Sequence, residues 1–160
     1  MMLRALIAML LCTLPIAARA AVTVTCTVSA GNIAFGIYNP LSTTANAATG
    51  ALKINCTGAG SGSKSVTASL TLSTGLSGNY TTRTMRSGVN SLNYNIYWST
   101  AYSQVMGDGS GGSFAGTTNA FTVTAGGTSS ATGTMYGLIP AQQDVAPGVY
   151  ADTILVTVEY

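Results

Sequence analysis

Residues 154–160 read Ile154-Leu155-Val156-Thr157-Val158-Glu159-Tyr160. Ile154, Val156, Val158 and Tyr160 are two residues apart, so an extended backbone puts them on one face and turns Leu155, Thr157 and Glu159 to the other. The spacing predicts a strand with an apolar core side, reaching back to residue 148. In the sequence no further segment follows Tyr160, and a sandwich that needs one more strand beside this one would keep an apolar groove and an unpaired backbone edge. Such an edge invites a strand from another chain. The alternation also suits a complete sandwich whose last strand ends the chain.

Working back from this stretch, the same period of two recurs. In residues 66–73, Val66, Ala68, Leu70 and Leu72 share a face opposite Thr67, Ser69, Thr71 and Ser73. Leu92, Tyr94, Ile96 and Trp98 alternate in the same way with Asn93, Asn95, Tyr97 and Ser99. Residues 22–28 and 51–57 each carry a cysteine, and Leu52, Ile54 and Cys56 lie on a common side. Further strands are expected at 120–124 and 132–139. Gly, Ser, Thr and Asn fill the intervals, and no apolar stripe at helical spacing occurs after the first twenty residues. Seven or so short strands with one buried face each predict an all-β sandwich.

Residues 1–20 stand apart. Arg4 supplies a positive start, residues 5–16 are apolar, and Ala18-Arg19-Ala20 is a small-x-small cleavage signal, so the segment reads as a secretory leader removed after Ala20. The apolar run is shorter than the roughly 20 residues that cross a bilayer. One domain over residues 21–160 is then expected. Without Arg4 and Arg19, the cations Lys53, Lys64, Arg83 and Arg86 balance Asp108, Asp144, Asp152 and Glu159, so the precursor's net charge of +2 offers no clustered basic face for nucleic acid. Of the three cysteines, Cys12 goes with the leader. Cys26 and Cys56 remain, an even pair that in an exported chain favours a disulfide worth roughly 3 to 4 kcal/mol.

Catalytic machinery is not expected. There is no histidine, so neither a Ser-His-Asp nor a Cys-His system can be assembled, and zinc lacks its usual ligands. The carboxylates are scattered; a pair such as Asp144 and Asp152 is the one enzymatic alternative. Residues 107–112, Gly-Asp-Gly-Ser-Gly-Gly, lack the Lys and following helix of a phosphate cradle and the alternating acids of a calcium loop, so turn chemistry accounts for them. No cofactor is expected.

In order along the chain stand Cys26-Thr27-Val28, Phe35-Gly36-Ile37-Tyr38-Asn39-Pro40, Cys56-Thr57-Gly58, Arg83-Thr84-Met85 and Leu92-Asn93-Tyr94-Asn95-Ile96-Tyr97. Gly107-Asp108-Gly109, Tyr136-Gly137-Leu138-Ile139-Pro140, Gly148-Val149-Tyr150-Ala151-Asp152-Thr153 and Val156-Thr157-Val158-Glu159-Tyr160 complete the series. Together they resemble the spore coat protein U domain family, related to Csu-type archaic chaperone-usher pilins. Met106, where an aromatic often precedes Gly-Asp-Gly, and Leu138, where a basic residue is common, depart from the pattern.

The resemblance implies an incomplete immunoglobulin-like β-sandwich lacking its final strand. It further implies a periplasmic pilus chaperone that lends a strand and holds the Tyr160 carboxylate, an outer-membrane usher, and other fibre subunits that exchange strands at the cell surface. The expected acceptor groove is lined by Ile154, Val156, Val158 and Tyr160. Only Ala21 to Thr25 precede Cys26, about 17 Å at full extension, so the subunit is expected to accept a strand without donating one, at a terminal or tip position. The alternative is a self-contained surface- or carbohydrate-binding adhesin domain.

Overall fold

The computed structural model describes residues 21–160, and the leader reading therefore lies outside the described residues. In chain order the strands are β1 (Thr23–Ala30), β2 (Asn46–Ala59), β3 (Ser63–Val66), β4 (Ser69–Leu72), β5 (Arg83–Ser87) and β6 (Asn90–Tyr97). They continue with β7 (Gly116–Thr117), β8 (Phe121–Thr124), β9 (Thr128–Ile139) and β10 (Val156–Glu159); the one helical element among the described residues is a 3-10 turn at Gly75–Ser77. A five-stranded sheet runs β1-β2-β9-β6-β5, a three-stranded sheet runs β10-β4-β7, and β3 pairs with β8. All of these ladders are antiparallel.

Core and register follow the alternation. Val66, Ala68, Leu70 and Leu72 are buried, as are Leu92, Tyr94 and Ile96, and Leu52, Ile54 and Cys56. Cys26 lies directly across from Cys56 in the β1–β2 register, with Cα atoms 4.0 Å apart, and the two form a disulfide. The bond therefore staples an edge strand to its neighbour.

The ladders depart from the expected strands in three places. Residues 66–73 do not form one strand: Val66 pairs with Phe121 of β8, whereas β4 pairs with β10 and β7. Ala68 marks the exchange, its N–H donating to Thr118 Oγ1 at 3.0 Å and its carbonyl accepting from the Thr118 N–H at 2.9 Å. Alternation reports which side is buried, and it persists while the backbone changes partner.

Residues 148–160 are the second case. Only Val156–Glu159 forms a ladder; Ala151 makes an isolated bridge to Arg86 of β5, and the chain then crosses to the other sheet. Over the crossing the backbone is held at Ser73: its N–H donates to the Leu155 carbonyl at 2.9 Å, and its Oγ accepts from the Leu155 N–H at 2.9 Å. Third, Asn95 was expected on the outer face of β6 but is buried, and Arg83 buries completely beside it. The loop at residues 107–113 is a turn structure as expected: Asp108 Oδ1 accepts from the Ser110 N–H at 2.8 Å and the Ser110 hydroxyl at 2.7 Å, which hold its carboxyl below the usual range.

Candidate functional site

β10 is an edge strand. Val156 stands opposite Leu72 and Val158 opposite Leu70, so both turn inward and pack, half-buried, against the core, as Ile154 does just before them. Thr157 and Glu159 point outward, and Tyr160 is half exposed. The structure thus places Ile154, Val156 and Val158 on one side as expected, with Tyr160 beyond the last ladder residue. Among the described residues only β4 is hydrogen-bonded to β10, and β1, the edge of the larger sheet, lies within 8 Å without a ladder between them.

Farther along the same flank the two edges diverge into a cleft of about 400 Å³. Residues 30–35 form one wall and residues 150–156 the other; Met85, Tyr94, Ile96 and Met135 lie at its floor. Beyond Ala30, the last residue of β1, the first wall alternates apolar residues but joins no ladder, because it leaves the edge of β2 after Gly31 and folds inward over the sheet. Two glycines make room for it. A Cβ on Gly50 would lie 2.8 Å from Ile33 Cγ1, and one on Gly137 would lie 2.6 Å from Phe35 Cζ, so both side chains rest on bare backbone. Phe35 then meets Tyr94 edge to face, with ring centroids 6.0 Å apart.

The opposite wall is held by Asp152. Its Oδ1 accepts from the N–H groups of Leu76 (3.0 Å) and Thr153 (2.7 Å), and its Oδ2 accepts from the Tyr94 hydroxyl at 2.8 Å. Burial first, and the bond and charge of Asp152 second, push the Tyr94 hydroxyl far above its ordinary pKa, so it remains a donor. The carboxylate considered as a catalytic partner for Asp144 is therefore a bracket that joins the wall to the floor. Asp144 itself is exposed on the loop at residues 140–149.

Behind the wall sits a network of buried polar side chains that the alternation of apolar residues does not announce. Arg83, with no exposed surface, donates from Nε and Nη2 to the Ser73 carbonyl (3.1 and 2.8 Å), from Nη2 to the Met106 carbonyl (2.7 Å) and from Nη1 to Asn95 Oδ1 (2.7 Å). Asn95 Nδ2 donates in turn to the carbonyls of Tyr80 and Thr81, and the guanidinium lies 5.2 Å from the Tyr80 ring centroid. Burial lowers the pKa of Arg83. Its one legible signal was an arginine entering an alternating segment whose next inward position is Met85. Met106 contributes through its carbonyl, while its side chain is buried.

A second, larger cleft of about 460 Å³ lies near Trp98, Phe121 and residues 116–120. The strand on that side, β7, is two residues long and offers little edge for pairing. The flank of β10 is the better candidate, since it joins an apolar trough to a free ladder edge.

The profile of the Spore Coat Protein U domain family matches residues 12–157. No curated protein matches the sequence. Among solved structures, one similar in fold is the crystal structure of the CsuC-CsuE chaperone-tip adhesion subunit pre-assembly complex from archaic chaperone-usher Csu pili of Acinetobacter baumannii, with 20% identity and a TM-score of 0.55. The similarity covers 86% of this chain and 40% of that one.

Proposed function

The chain belongs to the Spore Coat Protein U domain family, and from that premise we propose that it is an exported structural subunit of a surface fibre or coat, assembled by accepting a strand beside β10. The observation that carries this reading is the β10 flank. Inward-facing Ile154, Val156 and Val158 line a strand whose outer edge has no ladder among the described residues, next to a trough walled by Ile33 and Phe35. An added strand would pair with that edge and lay alternate apolar side chains onto the floor. Each apolar side chain so covered is worth roughly 1.5 to 3 kcal/mol, and a few of them equal a large part of a domain's net stability.

The partners are a periplasmic chaperone that lends the strand during export, an outer-membrane usher, and a neighbouring subunit that replaces the chaperone at the cell surface. β1 begins at Thr23 and is tied to β2 through Cys26, so residues 23–30 are committed to their own sheet. That supports a subunit that receives a strand rather than gives one, hence a terminal or tip position. A non-enzymatic role accords with Asp152 being used as a bracket.

The test is a comparison of faces. Val156→Asp or Val158→Asp, on the trough side, is expected to abolish co-purification with the co-expressed operon chaperone and to stop export. Thr157→Asp, on the outward side, is expected to leave both largely intact. Equal responses from the two faces, or a fully folded, exported monomer without any partner, would overturn the reading.

A further inference from the structure

Four of the most exposed aliphatic side chains, Ile37 (96%), Leu41 (87%), Val89 (92%) and Val149 (88%), belong to three separate loops. The register brings these loops to one end of the sandwich. β2 starts where β9 stops, with Asn46 opposite Ile139, so the loop at residues 36–45 lies beside Pro140. Tyr38 locks it there: its hydroxyl donates to the Pro140 carbonyl at 2.9 Å and accepts from the Gln143 N–H at 2.8 Å. Gln143 clamps the backbone of Asn93 through its side-chain amide, with Oε1 2.8 Å from the Asn93 N–H and Nε2 2.9 Å from the carbonyl. Gly148 abuts Ser87 at the tip of the β5–β6 hairpin, which carries Val89.

This end is built rather than loose, and it continues the trough. One wall passes from Phe35 to Ile37 and the other from Tyr150 back to Val149, so both walls lead directly into the apolar end. The opposite end is different in kind. Its turns, residues 60–62 and 125–127, flank the far end of the β2–β9 ladder at Thr57 and Thr128, are made of Gly, Ser and Ala, and carry none of the large exposed apolar side chains. The three apolar loops hold no cation, with Asp144 their one charge, which disfavours an anionic membrane surface as the occupant.

A strand lying in the trough must leave it at one of the two ends, and the domain to which it belongs then sits against that end. We infer that the apolar end formed by Ile37, Leu41, Val89 and Val149 is the docking face for the body of the strand-donating neighbour, a second fibre subunit that presents a complementary apolar surface. The inference rests on the strand-acceptor reading and adds the end at which the donor's domain is held. The apolar face is wet in the free subunit and becomes covered only when the donor's strand is already in place, so it favours a true neighbour over a lone peptide.

The experiment places a photocrosslinking amino acid singly at Ala34 in the trough wall, at Val89 and Val149 on the apolar end, and at the exposed Thr128 on the opposite end, in cells assembling their native fibres or coats. Irradiated assemblies are analysed by mass spectrometry. The expected result is that Ala34, Val89 and Val149 give adducts with one and the same subunit and Thr128 gives none. Adducts at Ala34 and Thr128 without Val89 or Val149 would overturn the docking inference while leaving the acceptor reading in place. No adduct at Ala34 would remove both. Adducts at Val89 and Val149 to lipid or to a protein not joined at Ala34 would also overturn it. The double variant Val89→Ser/Val149→Ser, altered only at exposed positions, is expected to reach the periplasm at the parent's level and to fall by about tenfold or more in assembled material; unchanged assembly would count against the inference.

Discussion

Replacing Arg83 by Met keeps most of the side chain's length and removes its hydrogen bonds, which isolates what the buried guanidinium does. Two acceptors would be orphaned, the Ser73 and Met106 carbonyls, whereas Asn95 Oδ1 keeps the Ile96 N–H at 3.0 Å. Both are backbone atoms that no rotamer can redirect, and an orphaned buried acceptor costs about 1 to 3 kcal/mol. The gross loss is then about 2 to 6 kcal/mol. Relief from burying a charge that has no carboxylate in contact offsets part of this, and the expected net loss is about 3 kcal/mol. Against a domain stability of about 5 to 15 kcal/mol that is a large fraction. Urea unfolding of the purified domain, followed through the fluorescence of its single tryptophan, Trp98, reads the change. Arg86→Met, at the exposed fourth of β5's five positions, is the matched control and is expected to stay within about 0.5 kcal/mol of the parent. If Arg83→Met also stays within that margin, Arg83 is not a structural staple and the account of the network is wrong.

Gly137→Ala puts a Cβ where Phe35 and Ile33 now rest, so it is expected to cost about 1 to 3 kcal/mol and to displace residues 33–35, seen as shifted amide resonances confined to that wall. Cys26→Ser with Cys56→Ser is expected to lower stability by about 3 to 4 kcal/mol, measured as a lower urea midpoint than the oxidised parent. For Tyr94 the folded state raises the pKa, favouring the protonated hydroxyl; its contribution is full below the unfolded value near 10 and is lost as pH rises above it, where the unfolded chain alone releases the proton. Tyr94→Phe is therefore expected to shallow the alkaline loss of stability, and an unchanged slope between pH 10 and pH 12, within about 0.3 kcal/mol, would refute the assignment.

The chain's period of two determined, without coordinates, that it is all β and which side chains fill the core. Val66 to Leu72, Leu92 to Ile96 and Leu52 to Cys56 are buried on the faces their alternation names, because a pleated backbone turns successive side chains to opposite sides whatever lies beside it. Cysteine parity and the ordered landmarks likewise pointed to the disulfide and the family. Tertiary structure alone decided which strand pairs with which. Residues 66–73 serve two sheets, and residues 148–160 cross from β5 to β4, since ladder partners are chosen by the whole packing and leave no mark in local hydropathy. The same holds for Arg83, Asn95 and Asp152, polar residues that became core staples and a groove bracket. Their burial is stable only because carbonyls and amides distant in sequence converge on them, and such convergence is a property of the folded chain.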